Sequence, residues 1–214
     1  MYINPISFGK TYISKTDAID KKTGNRETLD FVEYDDFIED ELDIQIAKEK
    51  WGKYNAANAD GRSCFRLEFA SDIYDDFIEH DAYPNKHYYG LEDKNGEIQA
   101  LAEIREGQKT YKVFDSYKNK TNPLEIVLFA VNPVNKHKSK DQKLSKLGTS
   151  FFKEIIKMAK RKKSNYISLK DASHGFWDSM PCVEKYQYGE HLDTHILRGS
   201  KFDKCIKKLE DRIC

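Results

Sequence analysis

An α/β fold, one domain with an N-terminal extension, is the class this sequence predicts, and three observations predict it. Leu124-Glu125-Ile126-Val127-Leu128-Phe129-Ala130-Val131-Asn132-Pro133 is a near-continuous apolar run rich in β-branched residues, the mark of a buried strand. Pro133 has no N–H and ends its pairing. After a Lys-rich loop, Phe151, Phe152, Ile155, Ile156 and Ala159 recur at the spacing of one helical face, and Asn165–Lys170 reads as another strand. Strand, loop, helix, strand implies a crossover with the two strands parallel or splayed. Lastly, Tyr88–Glu92 and Ile98–Arg105 are strand-like and flank Lys94-Asn95-Gly96, where Asn-Gly is a strong hairpin signal.

The remaining elements follow in chain order. Residues 1–61 form the N-terminal extension. It holds short strand-like pieces around Tyr2–Ser14, a turn at Lys21–Asn25, and a helix from Asp35 to Trp51 whose acidic first turns suit the helix dipole. The polar break at Ala56–Gly61 marks the boundary with a second unit, 62–214. Cys64–Phe69 alternates as a strand, and Asp72–His80 carries Ile73, Tyr74, Phe77 and Ile78 as a short helix. The crossover helix runs to Lys163, with Thr149 or Ser150 as its N-cap and Gly148 just before. Its last turn, Lys160-Arg161-Lys162-Lys163, complements the negative end of the dipole. His195–Leu197 is a short strand, and Phe202–Ile213 a terminal helix with Ile206 and Leu209 inward.

Composition narrows the class. The chain has 214 residues, with 36 Lys and Arg balanced by 36 Asp and Glu, enough length for a sizeable core. The charge is unevenly placed. Glu27–Asp43 holds many carboxylates and no Lys or Arg, whereas Lys136–Lys163 holds eleven basic residues against Asp141 and Glu154. Such asymmetry points to an anionic ligand near the basic half. Cys64, Cys182, Cys205 and Cys214 form no Cys-x-x-Cys pair, so no metal is expected. Met1–Pro5 lacks the basic start and apolar run of a signal peptide, and no segment reaches membrane-spanning length. A reducing, cytoplasmic setting with free thiols and no membrane partner is the expectation.

The richest stretch is Leu124–Lys163. A buried strand, a cationic loop ending at Lys146-Leu147-Gly148-Thr149, and the free N–H groups of a helix start together favour a phosphate. That order of parts points to a phosphate-bearing cofactor.

These residues resemble the acyl-CoA-binding core of the GNAT acyltransferase superfamily, over roughly residues 62–198. In that family a strand leads into a Gln/Arg-x-x-Gly-x-Gly/Ala loop. Here Lys143 takes the first position, Lys146 replaces the first glycine and Gly148 takes the last. Gly175-Phe176-Trp177-Asp178-Ser179-Met180 resembles the family's Ala/Gly-Phe-Tyr-Glu-Lys-Leu helix near the cofactor thiol. The resemblance implies a mixed, mostly antiparallel sheet flanked by helices, with acetyl-CoA as donor in a gap between the central strand and the Tyr166 strand. It implies direct attack by an amine on the thioester. Backbone groups of Phe129, Ala130 and Val131 would meet the pantetheine arm. Lys143, Leu144, Ser145, Lys146, Leu147, Gly148 and Thr149 would hold the pyrophosphate.

Proton transfer is less well marked. The family's tyrosine acid falls on Trp177, or on Val183 if Val183-Glu184-Lys185-Tyr186 is matched instead. Neither side chain has a usable proton, which leaves Tyr186 or Tyr188 as substitutes, both more often packing residues. Glu125, at the start of the central strand, and Glu103, on the hairpin, are the carboxylate bases to weigh. His174 has an unperturbed pKa suited to the task. His137 is a solvent or phosphate contact, and Asp171 and Ser173 stand where substrate contacts fall. The acceptor is an amine on a small molecule or protein. The carboxylates Asp35, Asp36, Glu39 and Asp40 would attract a cationic one. Two other classes are weighed: a catalytically inactive GNAT-like binding module, and a nucleic-acid-binding protein using Lys136–Lys163 with its aromatics.

Overall fold

Strand β4, Ile98–Glu106, is buried along nearly its whole length on both faces, and this two-sided burial makes it the middle of the sheet. The computed structural model describes residues 9–35, 40–58, 69–78, 85–107, 122–135, 139–170, 176–188 and 192–213. They build one nine-stranded sheet in the order β6-β1-β2-β3-β4-β5-β7-β9-β8. The strands are β1 Thr11–Asp20, β2 Arg26–Tyr34, β3 Lys86–Glu92, β4, β5 Leu124–Val131, β6 Leu144–Ser145, β7 Tyr166–Lys170, β8 Glu184–Tyr188 and β9 Leu192–Arg198. Every neighbouring pair is antiparallel except β5 and β7, which are parallel and joined through helix α3, Leu147–Arg161.

Two cores cover the two faces. On one face α3 and α4, Phe202–Ile213, pack Phe151, Phe152, Ile155, Ile156, Cys205 and Leu209 against Phe31, Ala102, Ile126 and Ile167. On the other, α1, Asp40–Asn58, and α2, Phe69–Ile78, place Ile44, Trp51, Ile73 and Phe77 over Val32, Tyr88 and Leu101. Burying a Leu- or Phe-sized side chain contributes about 1.5–3 kcal/mol, so each core is a main source of stability.

The β3–β4 hairpin forms as expected, with Gly96 at φ 75°. Helix α4 spans the expected residues. Several elements differ. The N-terminal pieces are a long hairpin, ten and nine residues per strand, and β2 pairs with β3 inside the same sheet. So residues before 61 contribute two strands and α1 to the shared cores. The expected boundary falls at the end of α1 and in residues outside the described ones. Of the strand expected at Cys64–Phe69, Phe69 is the first residue of α2 and the rest lie outside. Of Val183–Tyr186, one candidate for the family's helix, Glu184–Tyr186 lie in strand β8 and Val183 just precedes it.

Candidate active site at the splayed strands

Strand β5 has a partner on both sides only at its start. Its parallel ladder with β7 covers Leu124–Ile126 opposite Ile167–Leu169, while its antiparallel ladder with β4 continues to Val131. The register with β4 slips between Leu128 and Ile126, leaving Val127 as an extra, bulged residue. A bulge bends its strand, and this one sits where the two parallel strands part. Val127–Val131 are half-buried, with no ladder partner on the β7 side among the described residues.

Beside that open strand edge lies the start of α3. Its N-cap is Lys146, at φ 67°, and no side chain caps it. The expected caps, Thr149 and Ser150, instead lie within the first turn; Ser150 donates its hydroxyl hydrogen to Asp17 O at 2.6 Å. The first helical bond runs from Ser150 N–H to Lys146 O, which leaves the N–H groups of Leu147, Gly148 and Thr149 without intrahelical acceptors. Gly148 faces the end of β5: a Cβ built there meets Val131 Cγ2 at 3.7 Å and Phe176 Cε2 at 3.0 Å. Thus a strand edge without a partner among the described residues and an uncapped helix start stand side by side.

The loop between β5 and α3 is held by a polar network. Asn135, buried, accepts from the N–H groups of Lys143 and Leu144 through Oδ1, at 3.0 and 2.8 Å. Its amide nitrogen donates to Gln99 Oε1 at 3.0 Å. Gln142 donates to Asn135 O and Leu144 O. Leu144 and Ser145 pair with Asp20 and Ile19 as strand β6. Of the seven loop residues expected to bind pyrophosphate, Lys143 and Leu144 therefore have their N–H groups engaged within the fold, and Lys146–Thr149 open the helix. Lys146 stands where the family places a glycine, and its left-handed backbone is the conformation for which glycine suits that position.

An aromatic cluster floors this cradle. Phe129 stacks on Phe176 with ring centroids 5.4 Å apart and meets Phe151 and Trp177, each at 5.1 Å. Trp177, in a short 3-10 turn, Trp177–Ser179, is only 2% exposed. The position matched to the family's tyrosine is therefore filled by a core side chain. The turn is pinned to β9 by His195 Nε2, 2.8 Å from Asp178 Oδ1, and that hydrogen bond holds the Asp178 carboxyl below its ordinary pKa.

The opposite face of the splay carries Glu125. Leu124 and Ile126 point into the α3 core, so Glu125, between them and 2% exposed, points to the α1–α2 side. Arg105 is directly across on β4, and Ser168 is the register partner on β7. Arg105 donates through Nε and Nη2 to Glu103 Oε1, both at 2.9 Å, and Glu103 is fully buried. Sequence reasoning missed Arg105, whose signal was only the alternation Glu103-Ile104-Arg105.

Of the expected proton-transfer residues, Glu125 and Tyr186 lie on strands far apart in the sheet. Tyr186 is on β8, paired with Thr194 and three strands from β5, about 14 Å at the usual strand spacing. His174, His137, Asp171 and Ser173 lie outside the described residues. Of the acidic N-terminal segment, Asp36 and Glu39 lie outside the described residues, and several of the described carboxylates are engaged in the fold. Asp40, buried, accepts from Asp35 N–H at 3.0 Å, and Glu33 accepts from Tyr89 OH at 2.9 Å. Asp43 pairs with Lys10 at 2.8 Å. Of the basic run, Lys157 pairs with Glu154, Lys160 with Asp203 and Lys162 with Glu106.

No protein-family model matches the chain, and no curated protein matches it in sequence. Solved structures do match. A protein inferred to be arylalkylamine N-acetyltransferase 7 of the mosquito Aedes aegypti is 10% identical, with a TM-score of 0.55 over 93% of this chain and 100% of that one. A GNAT-family acetyltransferase of Listeria monocytogenes is 9% identical, with a TM-score of 0.51 over 85% of this chain and 99% of that one. One from Staphylococcus aureus is 12% identical, with a TM-score of 0.50 over 80% and 99%. The chain has the GNAT acyltransferase fold. In GNAT terms, the β5–β7 splay and the start of α3 are the places where the resemblance put the cofactor. Among the described residues, no helix is long and apolar enough to cross a membrane.

Proposed function

We propose that this protein is an N-acyltransferase that uses acetyl-CoA as donor and an amine as acceptor. The observation that carries the reading is the edge of β5 at Phe129–Val131, without a ladder partner on the β7 side among the described residues, beside the uncapped start of α3 at Gly148. The strand edge offers amide groups to an amide-bearing arm. The N–H groups of Leu147, Gly148 and Thr149, with the exposed Lys146, offer a positive helix end to a pyrophosphate. Bound acetyl-CoA would supply an acetyl group activated as a thioester.

Glu125 is the base in this reading. It immediately precedes Ile126, the last residue paired to β7, and so stands at the apex of the splay. Its carboxylate accepts a proton from the acceptor ammonium, since only the neutral amine is a nucleophile. Backbone N–H groups of β5 polarise the acyl carbonyl. The acceptor is an amine-bearing small molecule or a protein amine, approaching on the Glu125 face. The mosquito protein's name supports a small aromatic amine as the first compound to test.

The test is a thiol-release assay with acetyl-CoA against a panel of amines. Turnover that falls about 10²–10³-fold in Glu125→Gln, with acetyl-CoA affinity unchanged, supports the assignment. Equal turnover in Glu125→Gln removes Glu125 from the mechanism. Binding without turnover across the panel favours the inactive-module reading, which the core placement of Trp177 supports. The pairing of Lys157, Lys160 and Lys162 within the fold argues against a nucleic-acid surface there.

A further inference from the structure

Two thiols meet away from the acyl-transfer machinery. Cys205 lies on the inward face of α4, fully buried, and Cys182 follows the Trp177 turn, half-buried against the same core. Burial first, and then the neighbouring Cys182 thiol, raise the Cys205 pKa, so the two side chains are neighbours. Cys205 also donates to the carbonyl of Pro181, the residue before Cys182, at 3.0 Å. Cys182 holds a left-handed backbone, φ 66°, in a region that favours glycine or asparagine. A β-carbon is kept at a strained position, one residue from the carbonyl that the Cys205 thiol on α4 holds.

We propose that Cys182 and Cys205 are a modification site, closing to a reversible disulfide when the protein meets a disulfide oxidant. The proposal does not require acyl transfer and stands whether or not that reading does. Cys182, the more exposed thiol, reacts first. Its thiolate attacks one sulfur of glutathione disulfide, forming a mixed disulfide and releasing one glutathione thiolate. Burial pushes the Cys205 thiol up to about 12, so little of it is thiolate and the second step is the slow one, carried by nearness to Cys182 rather than by acidity. Cys205 attacks Cys182 Sγ, gives up its proton to solvent, and the second glutathione leaves as thiolate. Two protein thiols are oxidised and one glutathione disulfide is reduced to two glutathiones. The sulfurs must close to a bond of about 2.05 Å. Cys182 lies between the Trp177 turn and β8, in irregular chain, and is the side free to shift. The product ties that connection to α4.

The experiment treats the full chain with glutathione disulfide, blocks remaining thiols, and maps the digested peptides by mass, with Cys64 and Cys214 as internal comparisons. The expected result is a Cys182–Cys205 cross-link lighter by two hydrogens and reversed by dithiothreitol. The unfolding midpoint of the oxidised chain rises by about 5–10 °C. Cys182→Gly, which suits the left-handed backbone, folds and shows neither the link nor the rise. Recovery of Cys182 and Cys205 as separately blocked thiols, as glutathione adducts only, or linked to Cys64 or Cys214 overturns the proposal.

Discussion

A Cβ at position 148 falls 3.0 Å from Cε2 of Phe176, tighter than packed side chains tolerate without movement. Phe176 in turn stacks on Phe129 of β5, so helix start, strand edge and turn close on one another at a point that only glycine fits without displacement. The requirement here is room, not backbone conformation. The residue whose backbone conformation favours glycine is Lys146, two positions earlier.

Gly148→Val places two methyl groups against the Phe176 ring and into the cradle. The variant is expected to fold and to lose at least tenfold in acetyl-CoA affinity. Trp177 packs 4.8 Å from Phe176, centroid to centroid, so its fluorescence gives both the titration and a check on packing.

Lys146→Gly separates stability from binding. Relief of the left-handed backbone stabilises the chain by about 1 kcal/mol, read as a shift in the urea midpoint. Loss of the exposed ammonium at the positive helix end weakens acetyl-CoA binding several-fold. A change of both quantities in the same direction counts against this account of Lys146.

Asn135→Ala removes one oxygen that serves two backbone N–H groups. Leaving buried donors without acceptors costs about 1–3 kcal/mol each, and a loss of about 2–4 kcal/mol is expected because solvent relieves part of it. Denaturant titration measures it. Asn135→Asp, which keeps the acceptor, is expected to lose less.

Acid sensitivity has one source at Glu33. Burial raises its pKa, but hydrogen bonds from His87 and Tyr89 outweigh burial and hold it below the ordinary value. A carboxylate with a lowered folded pKa contributes stability that is present above its unfolded pKa of about 4.3 and is lost as pH falls through the folded value. Glu33→Gln is therefore expected to flatten the decline of stability below about pH 4.5 while changing its slope little near neutrality. Thermal midpoints from pH 3 to pH 7 check this.

The sequence made the parallel pair around α3 and the β3–β4 hairpin legible, because each carries a strong local signal. Those signals are the apolar run before Pro133, the inward face of Phe151, Phe152 and Ile155, and Asn95-Gly96. Strand β2 was not legible. Its Leu29, Phe31, Val32 and Tyr34 are buried toward both cores, which breaks the alternation of a half-buried strand, and its carboxylates read as solvated charge. The splay was legible only through resemblance, since the Val127 bulge depends on how β4 and β7 compete for β5. The cap at Lys146 was missed because lysine in a left-handed conformation gives no local sign.

Calorimetric titration of the unmodified chain with acetyl-CoA tests the central claim most directly. The account predicts saturable binding of one molecule per chain in the micromolar range, with free CoA binding comparably because the cradle holds pyrophosphate and pantetheine. A folded protein that gives no saturable heat with either compound at millimolar concentration contradicts the assignment of the splay and the α3 start as a cofactor site.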